Sequence, residues 1–239
     1  MIEPASIDDA AGLPPLFADW FARRGWQPRA HQLALLDAAR GGRSVLLIAP
    51  TGGGKTLAGF LPSLIALSGR PKARRGGMRA SRLHTLYISP LKALAVDIAR
   101  NLEQPIAEMG LDIRLETRTG DTPASRRQRQ RLDPPDMLMT TPEQLALMLS
   151  HKDAAVLFGN LQTVILDELH ALVTSKRGDL LALGLARLRT LAPSLRTIGM
   201  SATVAEPEAL QAYLVAQEPG DPPRLAELID AGPGIAPQI

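Results

Sequence analysis

A glycine-rich segment at residues 49–56 has the residue types that bind phosphate. It reads APTGGGKT and lies between the apolar run SVLLI and an amphipathic stretch. In a strand, turn and helix sequence of this kind, backbone N–H groups and the positive end of the helix dipole point at one place. Lys55 would reach the β and γ phosphates of a nucleotide, and the Thr56 hydroxyl would bind Mg²⁺. The predicted nucleotide-binding residues are Thr51, Gly52, Gly53, Gly54, Lys55 and Thr56.

An acidic pair follows a second apolar run, in the segment TVILDELH. Asp167 is predicted to hold Mg²⁺ together with Thr56, and Glu168 to orient and deprotonate the water that attacks the γ-phosphate. An acidic pair after an apolar run is more commonly a capping group at the start of a helix. The glycine-rich segment upstream favours the catalytic interpretation, with ATP and Mg²⁺ as cofactors. The departure from the usual G-x-x-x-x-G-K-[ST] pattern is Ala49, which replaces the first glycine.

Short apolar runs alternate with longer amphipathic stretches along the chain. Several runs are continuously apolar, as expected of strands that are covered on both faces of a parallel sheet. The segments LKALAVDIARNLEQPIAEMG and PEQLALMLS have the apolar spacing of helices that cover such a sheet. The sequence therefore predicts an α/β fold with a mostly parallel central sheet and helices on both faces. The predicted strands lie at residues 44–49, 85–89, 113–119, 137–141, 163–168 and 197–202.

Five short motifs, in this order and spacing, resemble those of superfamily-two helicases. Within that superfamily they are similar to the large-helicase-related branch, which includes bacterial ligase-associated DEXH-box DNA helicases. The resemblance covers about residues 15 to 215 and implies a RecA-like P-loop NTPase domain. The motifs are SPLKAL (89–94), TGD (119–121), TPEQ (141–144), DELH (167–170) and SAT (201–203).

The resemblance implies roles for residues near the nucleotide. Gln32 would read adenine, since a side-chain amide can both donate to and accept from a base edge; the alternative is an exposed glutamine at a helix start. Trp26 would either stack on the base or be buried under the N-terminal helix. His170, listed with the catalytic residues, would pair with Ser201 or Thr203 and couple hydrolysis to nucleic-acid binding.

The resemblance also implies a site for the nucleic-acid strand. Loops after successive parallel strands meet at one edge of a sheet, where N–H and hydroxyl groups can hold phosphates without reading bases. Arginine clusters at 70–82 and 126–131, and Arg118, could add positive charge to a net charge of +3. Solvated surface arginines are the alternative interpretation. The predicted strand-binding residues are Pro90, Lys92, Thr119, Gly120, Thr141 and Pro142.

Residues 1–216 are interpreted as the ATP-binding domain and the proline- and glycine-rich segment 217–239 as the start of an interdomain linker. No second series of strands and helices follows Thr203. The sequence is therefore interpreted as a fragment whose second motor domain is absent, and with it arginines that are worth roughly a thousandfold in rate. Residues 69–82 are predicted to be a mobile loop.

The first hypothesis is an ATP-dependent DNA helicase acting in DNA repair, on single strands or duplexes with a 3′ tail, with RNA as an open alternative. A second is an ATP-responsive nucleic-acid-binding module without catalysis of its own. A third, a small-molecule phosphotransferase, leaves D-E-x-H and S-A-T without a use. The absence of cysteine and of any apolar run of about 18 residues favours a cytoplasmic protein without membrane segments. The family resemblance implies a bacterial source.

Overall fold

The computed structural model describes residues 12–50, 52–70, 82–202, 204 and 206–232. In these residues, strands and helices alternate along the chain. The strands are β1 (Val45–Ile48), β2 (Thr85–Ile88), β3 (Leu115–Arg118), β4 (Met137–Thr140), β5 (Thr163–Leu166), β6 (Arg196–Ser201) and β7 (Glu227–Asp230). The helices are α1 (Pro15–Arg23), α2 (Ala30–Arg40), α3 (Lys55–Ser68), α4 (Lys92–Glu108), α5 (Ala124–Leu132), α6 (Pro142–Leu149), α7 (Ala154–Phe158), α8 (Leu169–Val173), α9 (Lys176–Leu191) and α10 (Pro207–Tyr213).

All seven strands form one sheet in the order β3-β4-β2-β5-β6-β1-β7. Every pairing in it is parallel. The α/β prediction and its parallel sheet are thus confirmed. Because the strands all run the same way, their C-terminal ends meet along one side, which we call the carboxyl edge. The strand order places the ends of β5, β6 and β1 in one half of this edge and those of β3, β4 and β2 in the other.

The sheet has a hydrophobic core on each face, because successive side chains of a strand point to opposite sides. Tyr87 and Ile165 lie in the core that α1, α2, α3 and α4 cover. Ile88 and Leu166 lie in the core that α6, α8 and α9 cover. Burial on both faces explains why β1, β2, β4 and β5 read as continuous apolar runs.

The seventh strand corrects the expected linker at residues 217–239. Glu227–Asp230 pairs in parallel with β1, and the Glu227 N–H donates to the Ser44 carbonyl at 2.9 Å. Only Ile229 of this strand is buried, so it reads as a short alternating run between prolines and glycines. Such an edge strand lacks the continuous apolar signal of β1, β2, β4 and β5.

Some predictions fall on residues outside the described ranges. These are Thr51, Thr203 and positions 71–81 of the loop predicted at residues 69–82. None of the helices that the structure describes combines the length and apolar composition of a membrane span.

Candidate nucleotide-binding and nucleic-acid sites

The glycine-rich segment forms a tight turn between β1 and α3. The Gly53 N–H donates to the Pro50 carbonyl at 3.0 Å, and a Cβ atom at Gly53 would lie 2.8 Å from that oxygen. Gly52 and Gly54 both have a φ of 77°, in the left-handed region that favours glycine. The turn therefore needs glycine at these positions. It delivers Lys55 to the first residue of α3, where N–H groups without helical acceptors can bind an anion.

A cavity of about 630 Å³ lies beside this turn. Its walls come from the segment between α1 and α2 and from the helices α3 and α4; they include Gln32, Gly54 and Thr56. Gln32 is 3% exposed, so it is not the exposed helix-start glutamine of the alternative interpretation. Its Oε1 accepts the Arg29 N–H at 2.9 Å, and its Nε2 would be 3.2 Å from a Cβ atom at Gly54. The amide is thus held between the start of α2 and the phosphate turn.

The two tryptophans on this side of the molecule have different environments. Trp20 is 3% exposed and its Nε1 donates to Glu108 on α4 at 2.8 Å. Trp26 is 49% exposed, lines the cavity and meets Trp20 edge to face, with ring centroids 5.8 Å apart. The Arg24 guanidinium lies 4.7 Å from the Trp26 ring centroid. Trp20 therefore packs the N-terminal helix, and Trp26 stays half exposed at the cavity wall.

Glu108 joins α1 to the cavity wall on α4. Arg24 donates to both of its carboxylate oxygens, at 2.9 and 2.6 Å. These hydrogen bonds, with that of Trp20, lower the pKa of Glu108 to about 2. No local pattern signals this contact, because Arg24 and Glu108 lie 84 residues apart in the chain.

The acidic pair stands at the end of β5, beside the phosphate turn. Asp167 is 6% exposed; its carboxylate accepts the Tyr87 hydroxyl at 2.5 Å and the Glu168 N–H at 3.0 Å. Burial raises the pKa of Asp167, while the Tyr87 hydrogen bond and the charge of Lys55 act in the opposite direction. Burial and Asp167 hold the pKa of Tyr87 far above its usual value, so this hydroxyl remains a donor. Tyr87 is a site residue that the sequence reasoning missed, since it reads as one more apolar residue of a strand.

The donor set fits a magnesium ion that is shared with a nucleotide. Among the described residues, no three His, Cys, Asp or Glu side chains cluster so as to hold a metal. One buried carboxylate, Asp167, and one hydroxyl, Thr56, instead match the few protein ligands that Mg²⁺ takes when phosphates and water supply the rest.

Glu168 and His170 link the end of β5 to the end of β6. Glu168 has φ 47° and ψ 46°, and is the one non-glycine residue with positive φ in the described ranges. Such strained backbone concentrates at functional sites. The His170 ring places Nδ1 2.9 Å from the Ser201 hydroxyl and Nε2 3.5 Å from the Glu168 carboxylate. Of the two partners predicted for His170, Ser201 is the one within the described residues.

The predicted strand-binding residues lie in the other half of the carboxyl edge, after β2, β3 and β4. Lys92 begins α4, and its ammonium is 3.0 Å from the Asp121 carboxylate. A Cβ atom at Gly120 would lie 3.5 Å from the same ammonium. The Thr119 N–H donates to the Thr122 hydroxyl at 2.9 Å. Thr141 and Pro142 start α6, and Pro90 follows β2.

Most arginines near this half are bound to the protein itself. Arg118 is 3% exposed and donates to the Arg127 carbonyl, so it does not supply surface charge. Burial lowers its pKa. Arg126 and Arg129 pair with the buried Glu116 carboxylate, at 3.5 and 2.6 Å. Arg127 donates to the Gly120 carbonyl at 2.7 Å. The predicted basic cluster thus supports the β3 loop more than it adds free positive charge.

Comparisons with known proteins fit this geometry. The family model described as DEAD/DEAH box helicase matches residues 29–211. The chain belongs to the DEAD/DEAH box helicase family. It is 42% identical over 233 residues to the Escherichia coli Lhr helicase/uracil glycosylase. This match covers 89% of this chain and 15% of that protein. It is 39% identical over 214 residues to the ATP-dependent helicase Lhr-Core of Methanothermobacter thermautotrophicus, covering 85% of this chain and 24% of that protein.

A solved structure of Mycobacterium smegmatis helicase Lhr, bound to ssDNA and AMP-PNP, has a TM-score of 0.79 and 36% identity to this chain. The match covers 92% of this chain and 28% of the other. The resemblance to large-helicase-related proteins and the RecA-like fold are thereby confirmed. The chain spans 15 to 28% of the length of these relatives.

Proposed function

We propose that this chain binds ATP and a nucleic-acid strand, and that it is the ATP-binding part of an ATP-dependent DNA helicase. One observation carries the proposal: His170 contacts Glu168 after β5 and Ser201 at the end of β6, beside the phosphate turn after β1. A phosphate turn alone would serve many nucleotide-binding proteins. A histidine that joins the acidic pair to a neighbouring strand end gives a means of relaying the state of the nucleotide.

In the proposed site, the phosphates lie at the start of α3 and the base lies in the cavity next to Gln32 and Trp26. Lys55 neutralises the β and γ phosphates, because it is the cation at the N-terminus of the helix. Thr56 and Asp167 would hold a Mg²⁺ ion, which would supply positive charge to neutralise the phosphates. These two side chains are the proposed protein ligands of the ion. The hydrogen bond from the Tyr87 hydroxyl holds the Asp167 carboxylate in a fixed orientation.

Glu168 is the proposed general base. Its carboxylate orients the attacking water and accepts a proton as the terminal phosphate is transferred to that water. The left-handed backbone at Glu168 turns the side chain away from the strand direction, and the His170 imidazole lies within 3.5 Å of it. We propose that His170 and Ser201 transmit to β6 whether Glu168 faces a nucleotide.

The nucleic-acid strand is proposed to lie across the loops after β2, β3 and β4. Backbone N–H groups, the Thr141 hydroxyl and Lys92 would contact its phosphates, with little reading of bases. The M. smegmatis relative solved with ssDNA supports DNA over RNA. A repair role is carried over from the family resemblance alone.

Because the relatives are longer, hydrolysis and unwinding are proposed for a form of the protein that has their additional length. Arginines that a second motor domain supplies to the transition state are worth about a thousandfold or more. The test measures ATP hydrolysis and strand separation by the 239-residue chain and by a longer form, with and without DNA. We expect slow hydrolysis and no unwinding by the short chain. Brisk DNA-stimulated hydrolysis by that chain as a verified monomer would contradict the need for further arginines.

A further inference from the structure

Arg177 lies in the first turn of α9 and contacts two of the predicted strand-binding loops at once. Its Nε and Nη2 donate to the two carboxylate oxygens of Glu143, at 2.5 and 3.2 Å. Its Nη1 donates to the Pro90 carbonyl at 2.8 Å. Pro90 follows β2, and Glu143 follows Thr141 and Pro142 after β4. A single guanidinium thus bridges two loops that come from adjacent strands of the sheet.

The position of Arg177 is fixed by a close approach of α8 and α9. A Cβ atom at the next residue, Gly178, would lie within 2.4 Å of the Leu172 carbonyl and 3.0 Å of the Val173 Cα, so only glycine fits. The Gly178 carbonyl also accepts the Tyr213 hydroxyl at 2.7 Å. The start of α9 is therefore held against the short helix that follows Glu168, and Arg177 has a rigid base from which to hold the loops.

We propose that Arg177 is a positioning residue for nucleic-acid binding, which sets the spacing between the Pro90 loop and the Thr141 loop. This inference rests on the proposed function, since it concerns the same strand-binding loops. Loop N–H and hydroxyl groups can match successive strand phosphates only when their spacing is right. A planar guanidinium with several donors can hold a carbonyl and a carboxylate together in fixed geometry.

Arg177 differs from a residue that binds phosphate directly. Its charge is already matched by Glu143, whose pKa the Arg177 hydrogen bonds lower. The two side chains are 39% and 47% exposed. Surface ion pairs of this kind add little to folding stability, so variants of either residue are expected to fold.

The test is the affinity for a fluorescent oligothymidine, measured by anisotropy at several salt concentrations. Arg177→Ala is expected to weaken binding about tenfold without changing the salt slope, because no phosphate contact is lost directly. Arg177→Lys should bind DNA as weakly as Arg177→Ala does, since an ammonium cannot donate to Glu143 and Pro90 in the planar geometry of a guanidinium. Glu143→Gln is the sharpest variant: it removes a negative charge, so simple electrostatics predicts tighter binding, whereas loss of loop spacing predicts weaker binding.

Arg187→Ala is the matched control, since Arg187 is an exposed arginine of the same helix without an ion pair in the described residues. It should bind as the parent does. Tighter binding by Glu143→Gln, a salt slope reduced by about one in Arg177→Ala, or parental affinity in Arg177→Ala would each overturn the inference.

Hydrogen exchange separates this inference from the proposed function. In Arg177→Ala without any ligand, the N–H groups at residues 89–91 and 141–144 should exchange faster than in the parent, whether or not DNA binds. A parent chain that fails to bind DNA would contradict the proposed function. Unchanged exchange in both loops would contradict the positioning role of Arg177.

Discussion

The two halves of the carboxyl edge are built differently, although they belong to one parallel sheet. In the half formed by β1, β5 and β6, Asp167 and Ser201 are buried, and the Asp167 carboxylate accepts the hydroxyl of Tyr87 from β2 at 2.5 Å. In the half formed by β2, β3 and β4, the candidate contacts are loop N–H groups, the buried Thr119 and Thr141, and Lys92, which is exposed and paired with the exposed carboxylate of Asp121. A buried site suits one defined ligand, whereas an exposed, partly neutralised surface suits a strand that must bind and release.

The substitution with the largest expected effect disrupts only the nucleotide half, which is the part of the carboxyl edge formed by β1, β5 and β6. Lys55→Ala should weaken ATP binding on the order of a hundredfold or more, because the β and γ phosphates lose charge-assisted hydrogen bonds. Calorimetry with ATP and Mg²⁺ measures this affinity. Binding of single-stranded DNA should stay within about twofold of the parent, since Lys55 lies in the other half. If the variant binds ATP like the parent, the phosphate site is misassigned.

Glu168→Gln separates binding from chemistry within the nucleotide half. In any form of the protein that hydrolyses ATP, it should lower turnover by about a hundredfold or more, as expected when a general base is removed. The affinity for ATP and Mg²⁺ should be retained, because the carboxylate acts on water. Single-turnover hydrolysis together with calorimetry tests both parts. Unchanged turnover would remove Glu168 from the role of base.

The strand half is the part of the carboxyl edge formed by β2, β3 and β4. There, two substitutions should change the affinity for DNA by a few fold in opposite directions. Lys92→Ala should weaken DNA binding and reduce the salt slope by about one, because one phosphate contact is lost. Asp121→Asn should strengthen binding at low salt, since Lys92 is then released from its ion pair. ATP affinity serves as the control and should not change. Parental affinity in both variants would mean that the strand does not pass over Lys92.

The smallest expected effect is a change in tryptophan fluorescence at acid pH, in the cavity beside the phosphate turn. The pKa of Glu108 is lowered to about 2, so its contact with Arg24 and Trp20 is complete above the unfolded value of 4.5 and is lost as the pH falls toward about 2. The chain has two tryptophans, and both line the cavity. Their fluorescence should therefore change between these pH values and much less in Glu108→Gln. The same change in that variant would place its cause elsewhere.

The sequence predicted the fold and the position of the glycine turn because both depend on local patterns. Continuous apolar runs mark strands that are buried on both faces, and the glycine turn needs only adjacent residues. Contacts made by residues far apart in the chain were not predictable. Arg177 and Pro90 are 87 residues apart, and nothing in either segment signals the other. The edge strand β7 was missed because half of its side chains face solvent.

The charged groups show the same limit. Arginine-rich residues 126–131 predict a basic surface, but the buried Glu116 that takes up two of these charges lies on β3. The sequence does not show which side chains are buried, so it allows Arg118 as a surface charge and two alternative roles for Trp26. Which tryptophan packs and which stays exposed depends on how α1 meets α4.

The central claim is that ATP and nucleic acid occupy separate halves of one carboxyl edge. Hydrogen exchange of the chain with AMP-PNP and Mg²⁺, and separately with single-stranded DNA, tests it most directly. The nucleotide should protect residues 52–57 and 167–170, and DNA should protect residues 89–92, 119–122 and 141–144. Protection of the glycine turn by DNA, or of the three strand loops by the nucleotide with no protection at residues 52–57, would contradict the account.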